Sequence, residues 1–380
     1  MSEKAQASFS GARKSRLLMK RADIGRTREW KAQVGRLTFY NAPREFVAPG
    51  PVESAPMTAL TIHDAFVSRV IRIPTRRRPL ALGAIYENRI LLPDIVQNRG
   101  RRGVSQKIQS SIDPIRIASA AKLTGSYVYL EIFRSHFGHF LLETMSRAWY
   151  LTNLHPNVRI ILHGDFQERD GEIPGYVRAV LNALSIEPGR IVLADHDLLV
   201  EELIVPSPQF WLGWKASPGF CHVFDHLREE LAHRGYSDGP LPKKVYLSRR
   251  QFTRRLVGNE ADAETLFASR GFHIVSPEKI SFEQQVMLAG NASHLAGLAG
   301  SALHMILFNN QPGAKLIELS VPRRARGHHN VVFHYRHNQL IINEVRGVEA
   351  HHIFCTTAQD QNGLPTLDTS VIQRALDEIS

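Results

Sequence analysis

Cysteine is scarce in this chain: of 380 residues, Cys221 and Cys355 are the two cysteines. A framework of several disulfides is therefore excluded, and a reducing compartment is the simpler expectation. The sequence also has no apolar run of about 18 residues, the length that a membrane-spanning helix needs. Its N-terminal stretch MSEKAQASFSGARKSRLLMKR contains no apolar segment of signal-peptide length, so we expect no secretory signal.

Several motifs typical of nucleotide or metal sites are absent as well. There is no Walker A pattern, no G-x-G-x-x-G pattern, no H-E-x-x-H pattern and no pair of closely spaced cysteines. Histidines do cluster in RGHHNVVFHYRHN (326–338), with His351 and His352 nearby, but without metal-ligand spacing. For this cluster we predict phosphate or hydroxyl contacts, or plain surface, and no metal site.

The net charge is +11, and much of it lies near the N-terminus. Residues 1–31 contain nine Lys and Arg side chains against Glu3, Asp23 and Glu29, with little apolar periodicity. We predict a flexible basic arm, which is either a solvated tail or a segment attracted to anionic lipid headgroups. Each basic residue close to such a surface contributes roughly 1 kcal/mol. Zinc-finger, RNA-binding and helix-turn-helix patterns are missing, so no nucleic-acid partner is expected.

The rest of the chain alternates between predicted strands and helices. The proline-rich residues 32–60 are predicted to be irregular, and short β-like runs follow at 61–95. A strand at 125–133 precedes a helix at 135–151, and the alternation continues to residue 236. After SDGPLPKK (237–244), a boundary pattern, it resumes through a helix at 281–290 with a Ser281–Gln284 capping box, a helix at 301–309 and a strand at 314–320. This pattern predicts an α/β fold with parallel sheets.

The boundary pattern also predicts how the chain is divided into domains. We expect two Rossmann-like α/β domains, residues 32–238 and 239–350, facing each other across a cleft. Residues 351–380 are then an extension whose helix packs back on the N-terminal domain. Such a cleft suits a substrate that carries a nucleotide.

The segment SHFGHFLLETMSRAWYL (135–151) carries the first candidate site. On an α-helix, five of its side chains fall within about 80° of each other: His136, His139, Glu143, Arg147 and Tyr150. The stripe contains no Lys, which is unusual for a solvent-exposed face, and Gly138 permits close backbone approach. A histidine followed by a carboxylate four residues later can serve as a general base. The alternative is an ordinary solvent face.

Two further stretches predict an anion site. In LAGLAGSALHMILF (295–308), a buried strand leads into a turn where the N–H groups of Gly300, Ser301 and Ala302 can face a phosphate. In YLSRRQFTRRLVGNE (246–260), four arginines follow directly on a strand, namely Arg249, Arg250, Arg254 and Arg255. Arginine forks suit a diphosphate. The alternatives are an ordinary strand–helix turn and a solvated basic loop.

Taken in order, these stretches resemble glycosyltransferase family 61, of the type found in bacterial capsular-polysaccharide proteins. The likeness rests on HFGHFLLETMSRAW, KVYLSRR and its following Arg and Asn, GFHIVSPEKISFEQQVMLAGNASHLAGLAGSALHMILF, and AKLIEL, within about residues 125–320. His139 matches the family's aromatic-flanked histidine, Arg255 and Asn259 match its Arg–Asn pair, and Gly300 with Ser301 matches its glycine-rich turn. His304 stands where the family usually has Asn.

The resemblance implies a GT-B-like fold and an inverting transfer from a nucleotide-sugar donor, without metal or cofactor. It implies that the N-terminal domain binds the acceptor and the C-terminal domain binds the nucleotide. The predicted catalytic residues are His139, Glu143 and His136. The predicted donor-binding residues are Arg249, Arg254, Arg255, Asn259, Gly300, Ser301, Ala302, His304 and Glu318.

The resulting hypothesis is an inverting, metal-independent glycosyltransferase acting on a surface or capsular polysaccharide, or on a lipid-linked glycan. We expect it in the cytoplasm, free or peripheral on the inner face of the membrane. One alternative is a sugar-nucleotide-modifying enzyme such as an epimerase, which needs no acceptor. Another is a non-catalytic glycan- or lipid-binding protein, which would bind no nucleoside diphosphate.

Overall fold

The computed structural model describes residues 31–41, 55–73, 80–95, 108–153, 158–164, 173–236, 240–252, 256–320, 331–355 and 359–379. Apart from Lys31, the predicted basic arm lies outside these ranges, as do Arg254, Arg255 and residues 326–330 of the histidine cluster. No helix in these ranges is both long enough and apolar enough to cross a membrane.

The described strands are, in chain order, β1 (Lys31–Val34), β2 (Leu37–Tyr40), β3 (Ala59–Val67), β4 (Ile71–Ile73), β5 (Leu80–Leu82), β6 (Ile85–Glu87), β7 (Ile90–Leu91), β8 (Ala121–Ile132), β9 (Arg159–His163), β10 (Ile191–Leu193), β11 (Leu198–Pro206), β12 (Phe210–Trp211), β13 (Lys215–Ala216), β14 (Lys244–Leu247), β15 (His273–Val275), β16 (His294–Leu298), β17 (Lys315–Ser320) and β18 (Glu349–Phe354).

The described α-helices are α1 (Pro114–Ala118), α2 (Phe137–Leu142), α3 (Gly175–Ala183), α4 (His222–His233), α5 (Glu260–Ala268), α6 (Phe282–Asn291), α7 (Val331–Arg346) and α8 (Thr369–Ile379). Between them lie 3-10 helices at Pro93–Ile95, Thr144–Asn153, Pro188–Arg190, Pro218–Cys221, Pro277–Lys279 and Ser301–Phe308. The capping box predicted at the start of α6 is confirmed, because Ser281 and Gln284 exchange side chain–backbone hydrogen bonds.

One seven-stranded sheet has the order β1-β2-β18-β17-β16-β14-β15, and its neighbours are parallel except for β1 with β2. Its central strands are apolar on both faces because helices cover both faces. In β17, for example, Leu316 packs into one apolar cluster and Ile317 packs into the other, beside α5 and α8. The mixed α/β fold with parallel strands predicted from the alternation is therefore confirmed.

The edge of this sheet comes from the beginning of the chain. β2 lies parallel to β18, with Leu37 opposite Ala350 and Tyr40 opposite Ile353. These residues were expected to be irregular and to lie in the N-terminal domain. The structure places them in the C-terminal sheet instead, because Leu37 and Phe39 bury their side chains in the apolar cluster that this sheet shares with the helices.

The second seven-stranded sheet has the order β10-β9-β8-β11-β3-β6-β7. The four strands from β10 to β11 are parallel, while β3, β6 and β7 are added in antiparallel fashion. Helices α2, α3, α4 and α6 pack into a single apolar cluster that also takes inward-facing residues from both sheets. The two halves are thus in direct contact at this layer, and an arrangement of two domains across a cleft stays a prediction.

The C-terminal helix α8 packs on the C-terminal sheet. Its buried residues, Ile372, Ala375, Leu376 and Ile379, form an apolar cluster with Phe267 of α5 and with Ile353. The expectation that this helix returns to the N-terminal domain is therefore wrong. The apolar stripe that predicts a packed helix does not identify which surface receives it.

The helix predicted at 135–151 has two parts. α2 ends at Leu142, and residues 144–153 continue as a 3-10 helix. Thr144 donates a hydrogen bond to the carbonyl oxygen of Ile132 at 3.0 Å, and Ser146 donates to that of Phe210 at 3.0 Å. These tertiary bonds hold the second part in the tighter geometry. The helix predicted at 301–309 is likewise a 3-10 helix.

Candidate active site

The predicted base pair is formed on α2. Nδ1 of His139 is hydrogen-bonded to Oε2 of Glu143, the residue that ends the helix. The side chain of Glu143 is 3% exposed, whereas that of His139 is 29% exposed. Glu143 therefore holds the ring of His139 through Nδ1. This leaves Nε2 as the ring nitrogen that can take up a proton.

Two neighbours complete this cluster. The ring of His136, an exposed residue, lies edge-on to the ring of His139, with 5.2 Å between their centroids. Nε of Arg134 lies 3.6 Å from Oε2 of Glu143. The Glu143 carboxylate thus contacts both a guanidinium and an imidazole. Sequence reasoning missed Arg134, although a cation just before a His–Glu helix was a visible signal.

Gly138 brings this helix against the predicted anion turn. A Cβ placed on Gly138 would lie 2.8 Å from Cβ of Ser301 and 3.3 Å from Cδ2 of His304, so no larger residue fits without displacing its neighbours. The close approach predicted for Gly138 is confirmed. The structure thus joins two stretches that lie more than 150 residues apart in the sequence.

Arg249 closes the other side of the turn. Its Nη1 donates to the carbonyl oxygen of Ala299 at 3.2 Å and would lie 3.3 Å from a Cβ on Gly300. The backbone of Gly300 is extended, so the glycine is needed here for space and not for its dihedral angles. The backbone N–H of Arg249 donates a hydrogen bond to Oε1 of Glu260 at 2.9 Å, and this bond anchors the arginine at the end of β14. Burial raises the pKa of this Glu260 carboxyl.

His304 lies on the 3-10 helix that follows the turn. It is 4% exposed, and its Nδ1 lies 2.9 Å from Oε1 of Gln339 on α7. Burial lowers the pKa of His304 to about 4, so the ring is neutral near pH 7. Its partner Gln339 was missed, because nothing in the local sequence of α7 distinguishes one buried amide from another.

Other predicted donor residues lie elsewhere. The amide oxygen of Asn259 accepts from the N–H of Leu367 at 2.7 Å, and its Nδ2 donates to the carbonyl oxygen of Leu367 at 3.1 Å. Asn259 therefore anchors the C-terminal segment. Glu318 is 1% exposed and accepts a hydrogen bond from Ser320 inside the sheet. Arg250 extends outward to an ion pair with Glu264. The side chains of Asn259 and Glu318 are therefore engaged within the protein, and the structure does not indicate that they contact the donor.

Arg147, on the same predicted stripe as His139, is in the core instead. It is 1% exposed and pairs with the buried Glu131 at 3.1 Å. The stripe is broken at this point because the helix changes its geometry after Leu142.

The sequence contains one Asp-x-Asp pair, Asp195 and Asp197, a spacing that can bind a divalent cation. Arg116 binds both carboxylate oxygens of Asp197, at 2.8 and 2.9 Å. The described residues contain no group of three or more His, Cys, Asp or Glu side chains arranged to hold a metal ion.

The chain matches a known family over part of its length. Residues 137–317, just under half of the chain, match the family described as Glycosyltransferase 61. The matched stretch begins at Phe137 in α2 and ends at Ile317 in β17, so it contains His139, Glu143, Arg249 and the Gly300 turn. This match supports the resemblance drawn from the sequence. A search among curated proteins finds no match.

Proposed function

We propose that this chain is an inverting glycosyltransferase that moves a sugar from a nucleotide-sugar donor to a glycan acceptor. One observation carries the proposal: the helix that bears the His139–Glu143 pair packs through Gly138 against Ser301, the residue that follows Gly300 in the turn. A general base and a set of anion-binding donors are therefore neighbours. The match to Glycosyltransferase 61 over residues 137–317 supports the same class of reaction.

On the donor side, the leaving group is a nucleoside diphosphate that needs positive charge and hydrogen-bond donors. The N–H groups of Ser301 and Ala302 and the guanidinium of Arg249 supply both. Arg254 and Arg255, which lie outside the described residues, are proposed to bind the same diphosphate. Donors fixed in advance stabilise charge that develops in the transition state. With this set we propose that the transfer requires no metal ion.

On the acceptor side, Nε2 of His139 is proposed to take the proton from the acceptor hydroxyl. The oxygen then attacks the anomeric carbon, and the bond from that carbon to the diphosphate oxygen breaks on the opposite face. Glu143 holds the ring and stabilises the imidazolium, while His136 lines the acceptor pocket. In the alternative assignment, Glu143 is the base and His139 positions the acceptor.

The broader setting is also part of the proposal. We propose a GT-B-like arrangement, with the acceptor bound by the N-terminal half and the nucleotide by the C-terminal half. The acceptor is a bacterial surface or capsular polysaccharide, or its lipid-linked precursor. Transfer takes place on the cytoplasmic side, and the basic N-terminal arm contacts anionic lipid.

Binding of nucleoside diphosphates is the decisive test. We expect a panel of UDP, GDP, TDP and ADP, scanned by thermal shift, to contain a member that raises Tm, because a ligand of the native state stabilises it. Arg249→Ala should weaken that binding by about 1.5–3 kcal/mol, the range for hydrogen bonds to charged groups. Arg250→Ala is the matched control, since this neighbouring arginine pairs with Glu264. If no nucleotide shifts Tm, the donor site is refuted.

Acceptor dependence separates the rival functions. A transferase releases nucleoside diphosphate faster when a glycan acceptor is added, and it continues in excess EDTA. A sugar-nucleotide epimerase converts its substrate at the same rate without acceptor. A binding protein releases nothing. Loss of transfer in EDTA that Mn²⁺ restores would overturn the metal-free mechanism while leaving the transferase assignment intact.

A further inference from the structure

Five buried side chains connect the candidate site with the C-terminal sheet. In order from the site they are His304, Gln339, Asn343, His352 and Glu318, and none is more than 4% exposed. Gln339 and Asn343 lie one turn apart on α7, and Glu318 lies opposite His352 on the paired strands β17 and β18. We call this set the relay.

Consecutive members of the relay are in contact. Nδ1 of His304 lies 2.9 Å from Oε1 of Gln339, whose Nε2 lies 2.9 Å from Oδ1 of Asn343. Nδ2 of Asn343 lies 3.4 Å from Nε2 of His352, whose Nδ1 lies 3.4 Å from Oε1 of Glu318. His352 is also stacked on Phe39 of β2, which covers the relay from the sheet edge.

The direction of donation along the relay is determined at the end near the site. At the other end, Oε1 of Glu318 accepts a hydrogen bond from the hydroxyl of Ser320 at 2.8 Å and lies 3.4 Å from Nδ1 of His352. Near the site, Nε2 of Gln339 also donates to the carbonyl oxygen of Leu303 at 3.5 Å, and a carbonyl oxygen can only accept. The amide oxygen of Gln339 therefore faces His304, and Nδ1 of His304 must be the donor.

The other ring nitrogen of His304 is consequently unprotonated. Burial is the main cause of the low pKa of His304, about 4; His136 and His139 act in the same direction, while Gln339 and Glu318 oppose it. A neutral imidazole protonated at Nδ1 carries its lone pair on Nε2. Among the residues that the structure describes, none is hydrogen-bonded to this Nε2, which faces Gly138 at the contact between α2 and the turn.

We propose that Nε2 of His304 is a fixed hydrogen-bond acceptor for a hydroxyl group of the donor sugar, and that the rest of the relay consists of positioning residues. This inference rests on the proposed function. The N–H groups of Ser301 and Ala302 and the guanidinium of Arg249 all donate, which suits phosphate oxygens. The sugar is joined to the diphosphate, and His304 follows the turn by three residues. A sugar hydroxyl there is a donor that needs an acceptor.

The tautomer can be measured without any substrate. In the full chain labelled with ¹⁵N-histidine, the signals of His304 are identified by their absence in His304→Asn. We expect Nδ1 protonated and Nε2 bare at neutral pH. Gln339→Glu places a carboxylate against Nδ1, so both nitrogens should become protonated, whereas Gln33→Glu at the exposed edge strand should change nothing. A proton on Nε2 of the wild-type ring would overturn the proposal.

The contact with sugar is tested by comparing each nucleoside diphosphate with its nucleotide sugar. An Asn at position 304 can still donate to Gln339 but offers no acceptor at the position of Nε2. His304→Asn should therefore bind the nucleotide sugar about 3- to 10-fold more weakly, the worth of one hydrogen bond, and the bare diphosphate equally well. Equal affinity for the sugar form, or equal loss for both ligands, contradicts the sugar contact.

Failure of the inference and failure of the proposed function can be told apart. If wild-type protein binds neither nucleotides nor nucleotide sugars, the proposed function is wrong and the sugar contact fails with it, whatever the tautomer. If wild-type protein binds both and His304→Asn binds both equally well, the transferase assignment stands and the role given to His304 is wrong.

Discussion

Residues 137–153 take part in two acid–base pairs that the structure uses in opposite ways. His139 and Glu143 meet beside the turn at Gly300, with 29% and 3% of their side chains exposed. Arg147 and Glu131 meet inside the N-terminal half, with 1% and 4% exposed. Arg147 also donates to the carbonyl oxygen of Pro206 and lies 6.0 Å from the ring centroid of Tyr129. The first pair is accessible to a substrate, and the second is enclosed.

The change of helix type explains the difference. On an α-helix, four residues turn the chain about 40° beyond a full circle, so Glu143 and Arg147 would share a face. On a 3-10 helix the same step is about 120° beyond a circle. Because residues 144–153 are in the tighter form, Arg147 leaves the stripe and enters the core. Equal spacing in the sequence therefore does not guarantee a shared face.

The largest expected effect comes from the accessible pair. His139→Ala should lower turnover, measured as release of nucleoside diphosphate, about a hundredfold to ten-thousandfold, the range for loss of a general base. Donor affinity and unfolding should change little, since the ring is partly exposed. His233→Ala, an exposed histidine at the end of α4, is the control. A greater loss in Glu143→Gln than in His139→Ala would assign the base role to Glu143, and normal turnover in both would remove the pair from catalysis.

Next in size is the effect on the enclosed pair. Arg147→Met removes the guanidinium that faces the buried Glu131 carboxylate, so the free energy of unfolding in urea should fall by about 3–5 kcal/mol. Adding Glu131→Gln removes the buried negative charge and should restore part of the loss. Should Arg147→Met prove nearly neutral for stability, the pair would not be enclosed as described.

A third test uses acid. His163 is buried near the enclosed pair: its Nδ1 lies 2.9 Å from the hydroxyl of Tyr129, and burial lowers its pKa to about 4. The unfolded chain then binds more protons than the native one between pH 6.5 and 4. The stability conferred by this neutral ring is complete above pH 6.5 and is lost as the pH falls toward 4.

For His163 the loss amounts to at most about 3 kcal/mol. Denaturant unfolding of wild type and His163→Gln across this range should show a steeper decline in the wild type. Parallel curves would mean that His163 already titrates normally in the native state. His304, whose ring is also buried and neutral, adds a decline of the same sign.

The smallest effect concerns the contact at Gly138. Gly138→Ala should cost about 1–3 kcal/mol of stability, because its Cβ would lie 2.8 Å from that of Ser301. Ser301→Gly removes the obstructing atom, so the double variant should be more stable than the sum of the two single changes predicts. Strict additivity in this double-mutant cycle would show that α2 and the turn are not in contact.

The sequence could predict features that repeat over short distances. The alternation after residue 244 predicted the parallel strands, the Ser281–Gln284 pattern predicted a capping box, and Gly138 predicted a close approach. In each case the physical cause lies within a few residues. The pairing of His139 with Glu143 belongs to the same group, since four-residue spacing on a short α-helix suffices.

Features set by distant partners could not be predicted. Glu318 looked like a ligand residue, but its partner on the neighbouring strand, His352, is buried with it. Asn259 looked like part of an Arg–Asn pair, yet it binds the backbone of Leu367. Leu37–Tyr40 is buried along its whole length, but its composition is common to many strands, and nothing local identifies β18 as its neighbour.

The position of β2 has a consequence for how the chain is made. During synthesis, Phe39 and Tyr40 emerge about 310 residues before the strand they pair with, and long-range pairings of this kind slow folding. The first half of the nascent chain therefore contains β2 without its neighbouring strand β18 until Phe354 has been synthesised. A chain severed at residue 239 would yield two fragments, and the later one would lack the strand that covers His352.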